Sequence, residues 1–379
     1  MSTVTYHLLT EAEPFSEFHG GAISRWAGNV LRDAAAVVVC PSADGTWRFS
    51  SDKVHVLPGL ARYRQARNHL RRFPWNLHRN VILRVFRPLL RRLRQGDIVW
   101  IHNRPDFAIA LTGEVHRAQG SVVLHLHNSH LVEWPQALMR KVRVDRLVFV
   151  SRFLMEQALR KFPSLDASSV LYNGADEAIF YPPPCRKEAK TPTVLFAGRL
   201  VKDKGVHILI EAMRLLEQRG SKLRALIVGS SNFGGSGDTD YIHWLKTNAP
   251  STVTFLPYRS GAALGDLFRE ANIFCSPSIW DEPFGLVNVE AFASGLPVVS
   301  TRGGGAAEIF VDGGGILVER GSAAQLADAL GQLAEDAELR SVIGRQGYAA
   351  FLNRFTWSIA RTQLHEISRS LSLYDSEPD

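Results

Sequence analysis

Short apolar runs alternate with amphipathic helical stretches along almost the whole chain, and the series starts twice. In the first half the apolar runs fall at 4–9, 34–40, 54–58, 97–103, 121–127, 146–151 and 168–172, with helical spacing at 22–33, 76–95, 106–119 and 151–161. In the second half the runs fall at 193–198, 223–229, 253–257, 273–277, 297–301 and 315–319. Helical stretches lie near 204–219, 238–248, 260–271, 285–294, 322–335 and 338–352. Parallel strands need a crossover of helix length, so this alternation predicts parallel sheets with helices on both faces. Two series predict an α/β chain of two doubly wound, Rossmann-like domains facing a central cleft, with ligands at the carboxyl ends of the strands. A chain of 379 residues is long enough for two cores. The break is legible in YPPPCRKEAKTP (181–192), where four prolines and a run of charges bar a continuing helix or ladder. The expected division is 1–181, a linker at 182–192, and 193–357.

Composition narrows the class. A content of 45% hydrophobic and 21% charged residues fits a globular protein, and no apolar stretch approaches the roughly 18 residues of a membrane span. The start, MSTVTYHLLTEAEPF, lacks a basic segment and a long apolar run, so no signal peptide is expected. Cys40, Cys185 and Cys275 are isolated, which gives neither a disulfide framework nor zinc spacing. A reducing cytoplasm is the expected location. The net charge of +7 is uneven: residues 1–190 hold 27 Lys and Arg against 16 Asp and Glu, and the rest hold 17 against 21. The first half is therefore expected to meet something anionic.

The candidate chemistry centres on SIWDEPFGLVNVEAFASGLPVVS (278–300), with Glu282 and Glu290 eight positions apart. Pro283 precedes a helical spacing of Leu286, Val289, Phe292 and Ala293, which Gly295 and Pro297 stop. Glu282 is thus expected in a loop and Glu290 inside a helix. The free N–H groups around Phe284, Gly285 and Leu286 would form an anion-binding helix terminus, and Gly285 would let a ligand approach the backbone. AGRLVKDKG (197–205) offers Arg199 and Lys204 after a strand, a planar fork and a mobile charge suited to a diphosphate. On these residues alone, a solvated loop with two surface cations is the other reading. TRGGGAAEIF (301–310) is either a phosphate-binding turn or a plain tight turn. In the first half, Gly20 and Gly21 lie between a strand end and a helix, a weaker version of a phosphate loop. His125 and His127 share one face of their strand, with His127 nearer the cleft edge; a structural histidine is the alternative. Asp238-Thr239-Asp240 reads as a helix N-cap rather than a metal motif, and no His, Asp or Glu group has ligand spacing along the chain.

Taken together, these stretches resemble glycosyltransferase family 4, the retaining group 1 family with the GT-B fold. The family's Glu, seven residues, Glu pattern is met by Glu282 and Glu290, and its GRLxxxKG element by Arg199 and Lys204. The Gly-Gly loop, the strand-end histidine, LYNGAD (171–176) and GGGAAEIFVDGGGILVE (303–319) follow in the family's order. FTWSIARTQLHEI (355–367) is similar to the helix that crosses back to the first domain, which gives the segment about 358–379 to that domain. The resemblance implies transfer of a sugar from a nucleoside diphosphate sugar with retained configuration, a UDP-sugar first and GDP-mannose next, without metal or other cofactor. Arg199 and Lys204 would hold the diphosphate beside the terminus at Phe284, Gly285 and Leu286. Glu290 would hold the ribose, and Glu282 would touch the donor sugar. His127 would lie near the transferred sugar and Gly21 near the phosphates or acceptor, and the loop carrying Tyr258 would meet the base. Glu290 on ribose excludes a hydrolase pair, whose carboxylates flank one bond at roughly 5–10 Å. The loop FLPYRS (255–260) carries Pro257 where the family has glycine, and the loop at 230–238 is longer than usual. An epimerase on the same fold and a non-catalytic nucleotide-sugar-binding protein are the alternatives; a donor assay that follows free nucleoside diphosphate separates them. The expected acceptor is a glycan or lipid-linked molecule of cell-surface polysaccharide or lipopolysaccharide assembly.

Residues 62–94 contain eleven arginines and no acidic residue. In NVILRVFRPLLRRLR (80–94), Arg84, Arg87, Arg91 and Arg94 form a basic stripe beside an apolar one of Ile82, Phe86, Leu89, Leu90 and Leu93. Pro88 would kink this helix without ending it. The stripe is expected either to meet the inner face of an anionic membrane or to be an ordinary solvated face; without interleaved aromatics it is not a nucleic-acid surface.

Overall fold

The computed structural model describes residues 3–16, 21–32, 34–44, 49–70, 72–129, 136–162, 167–184, 186, 190–231 and 237–374. The chain divides into two compact units, Met1–Tyr172 with Ser358–Asp379, and Asn173–Trp357. In the first unit the strands are β1 (Thr5–Leu8), β2 (Phe15–Ser16), β3 (Ala36–Cys40), β4 (Ala43–Asp44), β5 (Val54–Val56), β6 (Ile98–His102), β7 (Ser121–Leu126), β8 (Arg146–Phe149) and β9 (Ser168–Val170). Seven of them form one parallel sheet in the order β5-β3-β1-β6-β7-β8-β9, and β2 pairs with β4. Every residue of β6 and β7 is buried, as the near-continuous apolar runs of a sheet covered on both faces require.

The second unit holds β10 (Thr193–Ala197), β11 (Arg224–Val228), β12 (Val253–Leu256), β13 (Ile273–Ser276), β14 (Val298–Thr301) and β15 (Gly315–Val318), all parallel, in the order β12-β11-β10-β13-β14-β15. Its core joins Val194, Phe196, Ile227, Ile273 and Val299 of the strands to Leu209, Met213, Leu326 and Leu330 of the covering helices. Both sheets are doubly wound, and in each the strand order reverses at the middle, between β1 and β6 and between β10 and β13. Ligand crevices of such sheets open at that reversal, outside the carboxyl ends of the strands.

The segment after Tyr172 packs with the second unit, although the sequence places the end of the first domain at residue 181. The Ala175 N–H donates to the Phe355 carbonyl (3.1 Å), the Arg269 guanidinium donates to the Ile179 carbonyl (2.8 Å), and Gly174 lies against the backbone of Phe355–Trp357. The linker is fastened too: Arg186 donates to the carbonyls of Arg269, Ala271 and Ser294. Cys185 and residues 187–189 lie outside the described residues.

The basic helix is shorter than its pattern predicts. It spans Trp75–Leu90 and contains Pro88. A proline lacks the N–H that would continue the ladder and crowds the preceding turn, and the helix stops two residues later. Arg91 is its C-cap, and the backbone N–H of Arg94 bonds the Asp97 carboxylate at 2.9 Å. Arg84, Arg87, Arg91 and Arg94 are nonetheless all exposed, while Ile82, Phe86 and Leu89 are buried. Among the described residues no helix is long and apolar enough to cross a membrane.

Candidate active site

The loop after β10 ends in a short 3-10 turn, Lys202–Lys204, followed by Gly205 at φ +69°. A side chain at Gly205 would start 1.8 Å from the Pro277 carbonyl oxygen, so only glycine lets this loop lie on the loop after β13. The Ile279 N–H closes the contact by donating to the Asp203 carbonyl at 2.9 Å. Across it, Lys204 Nζ donates to Glu282 Oε1 at 2.5 Å, and Ser278 Oγ donates to the same oxygen at 2.6 Å. Thr301, at the end of β14, holds the Ser278 carbonyl through its Oγ1 at 2.6 Å. The Gly305 N–H donates to the Glu282 carbonyl at 2.7 Å, and Gly304, at φ +60°, has no room for a Cβ beside the Glu282 backbone. Three loops thus converge on Glu282, which is 7% exposed, at the reversal between β10 and β13. TRGGGAAEIF forms the 3-10 segment Gly304–Phe310 and serves here as a backbone clamp on Glu282.

The helix Leu286–Ala293 begins at Gly285, whose φ of +92° is left-handed, and no side chain caps its first turn. Its free N–H groups and dipole favour an anion at that end. Glu290 is buried in its second turn, and Phe284 is buried edge-on to Phe355. Arg199 is exposed and has no ion pair among the described residues. Tyr258 is exposed beyond β12. The structure therefore joins Lys204, Glu282 and the terminus at Gly285 in one unit. Lys204 and Glu282, which the sequence gives separate tasks, are direct partners. Ser278 and Thr301 went unread as site residues; their nearness to Glu282 in the chain and at the end of a neighbouring strand is the signal that could have found them. Thr239 caps the helix Asp240–Asn248 by accepting from the Ile242 N–H at 3.3 Å.

In the first unit Gly21 is the N-cap of the helix Ala22–Val30, and Gly20 lies outside the described residues. The chain's own Glu13 carboxylate sits on this terminus, accepting from the Ser24 N–H at 2.7 Å. Burial pushes the Glu13 carboxyl upward, opposed by hydrogen bonds from the backbone of Ser24, Ile23 and Gly21. His127 lies just past β7. Its Nε2 is 3.0 Å from His102 Nδ1, whose Nε2 is 3.3 Å from His7 Nδ1, and its backbone N–H bonds Asn103 Oδ1 at 2.7 Å. Burial lowers His7 and His127 to about 3 and holds His102 and His125 well down, so these imidazoles are neutral at physiological pH. Beside them Arg104 pairs with buried Glu11 and Asp106 and stacks over Phe107 at 4.1 Å, a charged knot with no linear motif.

A family model for glycosyl transferases group 1 matches residues 181–350, and one for glycosyltransferase family 4 matches residues 31–178. The chain is 32% identical to a D-inositol 3-phosphate glycosyltransferase of Corynebacterium aurimucosum, over 72% of this chain and 68% of that one. It is 28% identical to a GDP-mannose-dependent monoacylated alpha-(1-6)-phosphatidylinositol monomannoside mannosyltransferase of Corynebacterium glutamicum, over 74% and 78%. Among solved structures, sucrose-phosphate synthase from Thermosynechococcus elongatus superposes with a TM-score of 0.77 at 20% identity, covering 98% of this chain and 100% of that one. Anabaena HepE in complex with UDP-glucose superposes with a TM-score of 0.74 at 21% identity, covering 97% and 100%. The chain belongs to the group 1 glycosyltransferases of family 4 and has the GT-B fold.

Proposed function

We propose that the protein transfers a sugar from a nucleoside diphosphate sugar, with retained configuration, to a glycan or lipid-linked acceptor of cell-surface polysaccharide or lipopolysaccharide assembly. A UDP-sugar is the favoured donor and a GDP-mannose the next. The observation that carries this reading is the convergence of Lys204, Ser278 and Glu282 at the strand reversal of the second sheet, in the same unit as the uncapped helix terminus at Gly285. The bound UDP-glucose of Anabaena HepE supports the donor class.

The donor diphosphate binds Lys204, Arg199 and the N–H groups at Leu286. Diphosphate oxygens compete with Glu282 for the Lys204 ammonium. Ser278 keeps the Glu282 carboxylate in place, where it accepts from donor-sugar hydroxyls. Glu290 holds the ribose and the Tyr258 loop meets the base; His127 is assigned to the transferred sugar and Gly21 to the phosphates or acceptor. The acceptor attacks from the face the diphosphate leaves, and the departing phosphate takes its proton. The protein's main task is to stabilise charge on the leaving diphosphate, which two cations and a helix terminus do without a divalent metal. Incubation with a panel of UDP- and GDP-sugars in chelator tests the reading. One donor should release its free nucleoside diphosphate, faster when acceptor extracts are added. A new sugar nucleotide without free diphosphate, or binding without turnover across the panel, overturns it.

A further inference from the structure

The first sheet gathers three imidazoles that sequence spacing keeps apart. β6 ends at His102, which the register sets directly beside His125 on β7, and His127 follows two residues later on the same side. The ring centroids of His125 and His127 are 4.0 Å apart, and those of His102 lie 5.2 and 5.3 Å from them. One ring nitrogen from each can be chosen so that the three lie within 4.8 Å of one another. His125 is fully buried, and neither of its ring nitrogens has a hydrogen-bond partner. A buried polar group without a partner calls for an explanation, and an absent ligand is one.

We propose that His102, His125 and His127 form a binding site for a divalent transition metal of the Zn2+ class, held by three imidazole nitrogens with its fourth position open. Nitrogens bound tetrahedrally at 2.0–2.1 Å lie about 3.3 Å apart, and His102 Nδ1 and His127 Nε2 face each other at 3.0 Å. The His102 Nε2–H then donates to His7 Nδ1, at 3.3 Å, the outer partner that metal-bound histidines commonly have. An all-imidazole set selects Zn2+, Cu2+ or Ni2+ over Mg2+ and Ca2+, which take oxygen ligands. His127 is the partly exposed member and gives the ion its way in. Binding replaces the His102–His127 hydrogen bond. The ring that donates in that bond shifts its proton to its other nitrogen, so no proton need be released. Occupancy withdraws His127 from the transfer reaction; this consequence rests on the function proposed above, the binding does not.

The test uses the tag-free full chain, stripped with chelator and then titrated with Co2+ by visible absorption and with Zn2+ by equilibrium dialysis. One equivalent of Co2+ should bind with the strong visible bands of four-coordination. His125→Gln removes a direct ligand and should weaken binding by more than about 100-fold, the upper end of the loss when only an outer partner of a ligand is removed. His127→Gln, at the partly exposed edge, gives the same answer if the buried variant does not fold. His116→Gln, an exposed histidine paired with Asp145, should change nothing. Absence of one-to-one binding by the wild type, or equal binding by the foldable ligand variants, overturns the site. Metal binding with no transfer from any donor would count against the proposed function and leave the site standing.

Discussion

Lys204 and Ser278 both donate to a single oxygen of Glu282, and this geometry separates two cations that look alike in the sequence. Arg199 and Lys204 stand out in the sequence as candidates because they follow a strand and Gly198. Glu282 was legible because proline and glycine place it before a helix. The Lys204–Glu282 contact spans 78 positions and leaves no trace in local spacing. Removing either cation should lower kcat by about 10²–10³, the loss seen when one group that stabilises developing charge is deleted. The stability outcomes should differ. Lys204→Ala leaves the Glu282 side chain, 10% exposed, without its cation and should destabilise by about 1–3 kcal/mol. Arg199→Ala removes an exposed side chain and should leave the melting temperature unchanged. Steady-state turnover and thermal melts of both variants check this; equal melting losses would mean that the Lys204–Glu282 pair is not formed in solution.

At the scale of elements, most strands and helices were readable from apolar period, and the errors have physical causes. The helix Pro58–Leu70 was missed because only Leu60 and Tyr63 of its thirteen residues are buried, which leaves almost no apolar stripe. The stretch holding Lys202–Lys204 reads as a loop, and its 3-10 turn is not legible because nothing local shows that it must bend onto the loop after β13. Gly205 is the element that makes the bend. Gly205→Ala would add left-handed strain of about 1–2 kcal/mol and, beyond it, a clash with the Pro277 carbonyl. Gly220, at φ +77° with open space around it, supplies the control, since Gly220→Ala carries the strain alone. Gly205→Ala should therefore melt well below Gly220→Ala and lose turnover as Lys204 is carried away from Glu282. Equal melting temperatures, or normal turnover in Gly205→Ala, would show that the loop tolerates the shift.

On the scale of the whole chain, two doubly wound series were legible because strand–helix alternation is a local signal repeated many times. The exact division was not, because the attachment of Asn173–Tyr181 depends on hydrogen bonds to Phe355 and Arg269 far along the chain. The charge asymmetry was legible too, and the structure gives it a surface: Arg84, Arg87, Arg91 and Arg94 are exposed, and Phe73 and Leu77 at the start of the same segment are 55% and 54% exposed. We propose that this side rests on an anionic membrane, where each arginine contributes about 1 kcal/mol near the surface and the two apolar side chains add a salt-resistant part. Wild-type protein should sediment with vesicles containing phosphatidylglycerol at low salt and release steeply as salt screens the charges. Changing the four arginines to glutamate should abolish sedimentation. Phe73→Ser with Leu77→Ser should leave low-salt binding but remove what survives at high salt. Turnover on a soluble acceptor should be the same in all forms, because none of the altered residues is among those assigned to the donor or the transferred sugar. Equal sedimentation of the wild type and the charge-reversed variant at low salt would show that the basic segment is an ordinary solvated face.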